Sequence, residues 1–164
     1  MIDERPPHIE TREEVGHWEN DTVMGKSGEK ECIVTMVERA TGTLLIGKLA
    51  NRTVEATNQR MISLMKNTGL PFLTMTSDNG TEFNGYAQLE AATGVTVYFA
   101  RPHRPWERGS NENANGLIRQ YLPKGQSMAD LTQKQCNALA HKINTRPRKR
   151  YGYNTPLQRL QRLL

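Results

Sequence analysis

At 164 residues the chain is long enough for one domain with a real core. Hydrophobic residues make up 36% and mean hydropathy is −0.69, and no run approaches the ~20 apolar residues of a membrane span. The net charge of +5 is uneven: residues 1–31 hold four bases and nine acids, while residues 141–164 hold seven bases and no acid. That asymmetry points to a polyanion on the C-terminal half, or more plainly to a solvated basic surface.

Residues 1–15 are Pro-rich and charged, with little periodicity, and read as a tether without a signal-peptide core. Trp18–Met24 is a first strand, closed by Gly25-Lys26-Ser27-Gly28. Cys32–Val37 is an apolar, β-branched second strand, and Ala40-Thr41-Gly42 turns into a third over Leu44–Gly47. Such short turns favour an antiparallel meander. Asn51–Thr68 has helical spacing and stops at Gly69. Phe72–Thr76 reads as a buried strand, Asn84–Thr93 as a short helix and Val95–Phe99 as a fifth strand. Arg101–Gly109, with two prolines, is a loop. A helix starts near Ser110 with Leu117, Ile118, Tyr121 and Leu122 on its apolar side. Another opens at Thr132 with capping-box spacing. Thr155-Pro156 begins a last helix with Leu157, Leu160 and Leu164 on one stripe. Three strands followed by alternating helices and strands predict an α/β fold: a mixed five-stranded sheet covered by helices. Cys32 and Cys136 lie far apart in apolar patterns and read as buried thiols of a reducing cytosol.

Three acids carry the chemistry. Asp21 lies on the first strand, Asp78 follows the fourth, and Glu112 opens the helix after the loop, with 33 residues between the last two. Strand ends of α/β sheets are common ligand sites, and converging carboxylates suit hard cations. Two ions about 3.5–4 Å apart can clamp the attacking and leaving oxygens of a phosphodiester. Each acid also has a plain reading. Asp78-Asn79-Gly80 is a good turn, Asp21 can face water on a short strand, and Glu112 suits a first helical turn by its charge alone.

The order strand-Asp, strand-Asp-Asn-Gly, then Asn111-Glu112-Asn113 at a helix start resembles the DDE catalytic core shared by bacterial transposases and retroviral integrases. The resemblance is strongest to the insertion-sequence-thirty family of transposases. It rests on Gly16-His17-Trp18-Glu19-Asn20-Asp21, on Thr76-Ser77-Asp78-Asn79-Gly80, and on Arg101-Pro102-His103 through Tyr121-Leu122-Pro123-Lys124-Gly125. Asn144-Thr145-Arg146-Pro147-Arg148-Lys149-Arg150 and Thr155-Pro156 extend it, so that it spans roughly Val15 to Leu160. It implies a ribonuclease-H-like fold over residues 16–164, with the helix-turn-helix domain that reads element ends absent from this chain. It further implies that Asp21, Asp78 and Glu112 hold two Mg²⁺ ions, with Mn²⁺ as a substitute, for DNA cleavage and 3′-hydroxyl strand transfer. The implied partners are DNA and further copies of the chain, in a bacterial cytoplasm at the nucleoid. A plain nuclease of the same fold and a non-catalytic DNA-binding remnant are the alternatives.

Around the triad, Asn115 and Arg119 share a helical face with Glu112, and Arg119 reads either as a phosphate ligand or as a solvated Arg. Asn79 adjoins Asp78. His103, Arg104, Trp106 and Arg108 combine cations with a ring that suits a splayed strand, or Trp106 plugs a core edge. Lys124, Arg146, Arg148, Lys149 and Arg150 complete the expected DNA-contacting set. His17 and His141 sit in no metal-binding pattern, and Trp18 reads as core.

Overall fold

The structure, a computed structural model, describes residues 1–101 and 109–164. Its centre is one five-stranded sheet: β1 (His17–Met24), β2 (Cys32–Glu38), β3 (Leu44–Leu49), β4 (Thr74–Ser77) and β5 (Thr96–Phe99), in the order β3-β2-β1-β4-β5. The first three strands form the expected meander, antiparallel throughout. β4 then pairs with β1, and β5 with β4, both in parallel. Parallel neighbours need a crossover, and α1 (Val54–Thr68) and α2 (Tyr86–Thr93) supply it on one face. The other face is covered by α3 (Gly109–Tyr121) and α4 (Gln133–Asn144), and α5 (Pro156–Leu163) ends the chain.

Alternation along the strands sorts the core into two layers. Trp18, Cys32, Val34, Met36 and Met75 pack with Met61, Leu64, Met65 and Leu89 of α1 and α2. Val23, Ile33, Val37, Leu44 and Ile46 pack with Ala114 and Ile118 of α3 and with Cys136, Leu139, Ala140 and Ile143 of α4. Glu19 and Asp21 share the parity of Val23, so they face α3.

The exposed edge of β3 is closed by side chains of α4. Asn144 accepts from the Leu44 amide at 2.8 Å and donates to its carbonyl at 2.9 Å. Gln133 does the same one turn of the ladder away, accepting from Lys48 and donating to Ile46 at 2.8 Å each. These amides blunt an edge that would otherwise invite pairing. The two predicted capping residues, Thr132 and Thr155, both form complete capping boxes.

Three expectations shift. Residues 1–15 lie against the sheet: two 3₁₀ turns, Ile2–Glu4 and Pro7–Thr11, bury Ile2 and Ile9, and Arg5 Nη1 donates to Thr76 Oγ1 of β4 at 3.1 Å. The fourth strand begins at Thr74, with Phe72 ahead of it, because Phe72 is held by stacking on Trp18 at 4.5 Å. Of the last-helix stripe only Leu160 is buried, and Leu164 is 67% exposed.

Each face holds one thiol. Burial pushes Cys32 and Cys136 up to about 11, against an ordinary thiol near 8.5. A disulfide-exchange reagent at pH 8 is expected to leave both unmodified in the native protein and to modify both after unfolding in urea. Fast modification of either in the native state would contradict the two-layer packing.

Candidate active site

β1 and β4 run side by side in parallel, in the register His17–Thr74, Trp18–Met75 and Glu19–Thr76. The ladder ends there; Asp21 stands two residues past Glu19 on β1, and Asp78 two past Thr76, just beyond the end of β4. Asp21 is half-buried, and its Oδ1 accepts from the Thr22 amide at 2.9 Å. Asp78, also half-buried, is the first residue after β4, and its Oδ1 accepts from the Gly80 amide at 2.8 Å. This is the turn that Asp-Asn-Gly favours, so the turn and ligand readings of Asp78 coexist.

Gly80 sits close under two carboxylates. A Cβ on it would stand 2.8 Å from Asp78 Oδ1 and 2.7 Å from Glu82 Oε2. Glu82 is a buried carboxylate that the sequence reading passed over. It accepts from Thr22 Oγ1 at 3.1 Å and lies 3.6 Å from Arg52 Nε, linking the residue after Asp21 to the turn after Asp78.

Glu112 comes from the first turn of α3 and is exposed. Asn115, one turn on, donates from Nδ2 to Asp21 Oδ2 at 3.0 Å. That bond brings the Glu112 helix to the Asp21 carboxylate. The other amide atom, Asn115 Oδ1, is a buried acceptor with no donor among the described residues.

Buried Asn111 and Glu19, with half-buried Arg12, hold the start of α3 down. The Asn111 side chain donates to the Asn20 carbonyl at 2.9 Å. The Asn111 backbone amide donates to Glu19 Oε1 at 3.2 Å, so a strand carboxylate caps the helix from outside. A carboxylate at a helix N-terminus is favoured by the orphan amides and the dipole. Glu19 is fully buried, and its second oxygen pairs with Arg39 Nη1 at 2.5 Å. Arg12 adds a bond from Nη1 to Ser110 Oγ at 2.6 Å and one to the Arg39 carbonyl at 3.2 Å. Burial, reinforced by the nearby Arg39 charge, lowers the Arg12 pKa from its ordinary value. Strand parity could have found Glu19, since it stands two residues before Asp21 on the same face.

The remaining predicted residues are dispersed. Arg119 does not reach out to solvent: its Nη1 donates to the Leu122 carbonyl at 3.2 Å and its Nη2 to the Met24 carbonyl at 3.0 Å, so it fastens α3 to the end of β1. Asn79 donates to the Ala100 carbonyl at 3.0 Å and joins the ends of β4 and β5. Lys124 is exposed just beyond α3. Arg146 donates to Gln120 at 2.7 Å. Arg148, Lys149 and Arg150 face Asn113, Gly116, Leu117 and Gln120 of α3 across a hollow of about 670 Å³. Arg148 and Arg150 also lie over the Tyr151 ring, at 5.9 and 4.8 Å from its centre. The hollow therefore borders Asn113, the neighbour of Glu112, with three cations. His103, Arg104, Trp106 and Arg108 lie outside the described residues.

The Integrase core domain family matches residues 11–105. A transposase for insertion sequence element IS4351 of Bacteroides fragilis is 39% identical over 99% of this chain and 50% of its own length. The transposase InsI for insertion sequence element IS30A of Escherichia coli is 38% identical over 98% of this chain and 42% of its own. The chain thus spans half or less of the length of these relatives. Among solved structures, the catalytic core domain of BIV integrase superposes with a TM-score of 0.63 at 21% identity, covering 89% of this chain and 94% of that one. A simian T-cell lymphotropic virus intasome chain gives 0.68 at 14% identity, over 87% and 53%. The open sheet with its flanking helices is the ribonuclease-H-like fold of those integrase cores.

Replacing Glu19 by Gln removes the charge of a fully buried carboxylate that Arg39 and the Asn111 amide both meet, and losing one member of a buried pair costs about 3–5 kcal/mol. Urea unfolding of the Glu19→Gln protein should show a loss of that size, and a loss below about 1 kcal/mol, the range of exposed pairs, would contradict the burial.

Proposed function

We propose that this chain, which belongs to the integrase core domain family, is the strand-cleaving and strand-joining core of an insertion-sequence transposase like the relatives it resembles. Cores of this family are nucleotidyl transferases that use divalent metal ions. In the proposal Asp21, Asp78 and Glu112 hold two Mg²⁺ ions, or Mn²⁺ in their place. The carrying observation is the Asn115–Asp21 bond, which joins the Glu112 helix to the strand pair that bears Asp21 and Asp78.

The residue types suit such ions, although among the described residues these three carboxylates do not stand as one ready-made ligand group. The donor set is all carboxylate oxygen, the choice of a hard cation. The bonds from Thr22, Gly80 and Asn115 orient the two aspartates. The unsatisfied Asn115 Oδ1 beside Asp21 suits a coordinated water as its donor. When bound, the ions supply charge neutralisation and activate the attacking oxygen.

The chain's own residues do the positioning. Water attacks a phosphodiester at the element's end, and the phosphorus–oxygen bond that breaks leaves a free 3′-hydroxyl. That hydroxyl then attacks a target phosphodiester in line and displaces its 3′-oxygen. Neither step needs a protein nucleophile; holding the reacting oxygens in place supplies much of the rate. The cations of the α3 hollow, Arg148, Lys149 and Arg150, track the DNA backbone towards Glu112. Lys124 and Arg146 extend that surface, and the 102–108 segment, with His103, Arg104, Trp106 and Arg108, belongs to the same proposed DNA path. Self-association on DNA is also part of the proposal, and the intasome setting of one structural neighbour supports it. No helix among the described residues is long and apolar enough to cross a membrane.

Cleavage and joining of a labelled short duplex in Mg²⁺ or Mn²⁺ test the proposal. Glu112→Gln is expected to lower cleavage by about a thousandfold or more with DNA affinity unchanged. Parental rates from that variant would remove Glu112 from the reaction, and cleavage without joining would favour the plain nuclease. Counterion release sets the second test. Each phosphate contact adds about −0.9 to the log–log salt slope of binding, so the Lys149→Ala/Arg150→Ala protein should lose about two units. An unchanged slope would move the DNA path off the α3 hollow.

A further inference from the structure

Where the N-terminal arm meets the start of β1, three potential ligands converge away from the carboxylate triad. His8 lies in the 3₁₀ turn Pro7–Thr11, Glu14 in the bend before β1, and His17 is the first residue of β1. Their ligand atoms, His8 Nε2, Glu14 Oε1 and His17 Nε2, all lie within 4.8 Å of one another. His17 Nε2 is 2.5 Å from Glu14 Oε1, and His8 Nε2 is 3.4 Å from the same oxygen. We propose that His8, Glu14 and His17 form a second metal centre, for Zn²⁺ or a similar borderline transition-metal ion.

The chemistry of the donor set separates this centre from the triad. Two imidazoles and one carboxylate suit zinc, whereas oxygen-only sets suit magnesium. Bond lengths of about 2.0–2.1 Å in a tetrahedron set neighbouring ligand atoms about 3.3 Å apart. The His8–Glu14 separation already has that size, and the His17–Glu14 hydrogen bond would open by somewhat under an ångström, about the shift that exposed Glu14 can make.

The outer contacts are those of a built ligand. A metal-binding His donates its other ring N–H to a fixed acceptor, which sets the tautomer and aims the ring. His17 Nδ1 is 2.9 Å from Thr74 Oγ1 of β4, and the ring is 5% exposed. Gly16 permits the turn that brings Glu14 back over His17: its φ is 123°, and a Cβ there would stand 2.9 Å from Leu73 Cγ. The turn carrying His8 is pinned by buried Ile9. His8 and Glu14 are 60% and 54% exposed, so the fourth position faces solvent and takes water or an exogenous donor. His17 stands four residues before Asp21 on β1, and Thr74 four before Asp78. An ion here would therefore clamp the arm to the two strands that bear both aspartates.

The measurement is zinc competition against a chromophoric chelator, with Co²⁺ as a spectroscopic substitute, on the metal-free chain. One equivalent of Zn²⁺ is expected to bind, and Co²⁺ to give the visible bands of a four-coordinate site. Removing a ligand should weaken binding by about tenfold or more in His8→Ala, a substitution of a mostly exposed side chain checked for folding by circular dichroism. Asp78→Asn should bind zinc as the parent does, and millimolar Mg²⁺ should not displace it. The proposal is overturned if the parent binds no zinc, if His8→Ala binds it equally well, or if the Asp78→Asn change removes it. Because the readout is binding and not strand cleavage, failure here leaves the proposed reaction untouched.

Discussion

The carboxylate of Glu19 is the constraint on which the site depends. It is fully buried on the central strand, one oxygen on Arg39 and the other on the Asn111 amide in the first turn of α3. An ionised carboxylate without partners is costly in such a place. Here a guanidinium and a helix N-terminus meet it together, and both are positive. The interaction is thus worth more as a position than as stability, since a buried pair often does no better than well-packed apolar residues. What it fixes is where α3 starts, and therefore where Glu112 stands relative to Asp21.

The sheet supplies the other half of the geometry. Parallel pairing of β1 with β4 brings together two distant stretches of sequence, those that lead into Asp21 and Asp78. Strands held on both sides and packed between two core layers shift little. The helix, by contrast, reaches them through polar bonds: Asn111 to Asn20, Asn115 to Asp21, Arg119 to Met24 and Arg12 to Ser110. Polar networks of this kind set register and orientation because a slipped helix would leave several buried groups unpaired. The arm of residues 1–15 enters the same network through Arg5 and Arg12, and so takes part in the site it precedes.

Much of this was legible in the amino-acid sequence wherever a period or a turn residue repeats. Cys32–Val37, Leu44–Gly47 and Asn51–Thr68 are apolar runs or helical stripes bounded by glycine, and they fall on β2, β3 and α1. The arm was not legible, because 3₁₀ turns have no long period and its anchors, Ile2, Arg5 and Ile9, do not repeat at any spacing. Arg119 shows the limit of helical-face reasoning. Its place on the Glu112 side of α3 follows from spacing, but the Met24 carbonyl that captures it comes from a strand whose proximity only the fold reveals. Glu19 was visible by parity with Asp21, yet its partner Arg39 lies just past the end of β2, across a register that sequence alone does not fix.

If Glu19 acts by placing the Glu112 helix, its effect on the proposed strand cleavage must run through Glu112. A double-mutant cycle on the cleavage rate of a labelled duplex, using Glu19→Gln, Glu112→Gln and both together, measures that coupling directly. The account predicts strong non-additivity: Glu19→Gln slows the parent but adds little once Glu112 is already Gln. Independent, additive losses would contradict it, and Glu19 would then be a fold residue with no hand in the site.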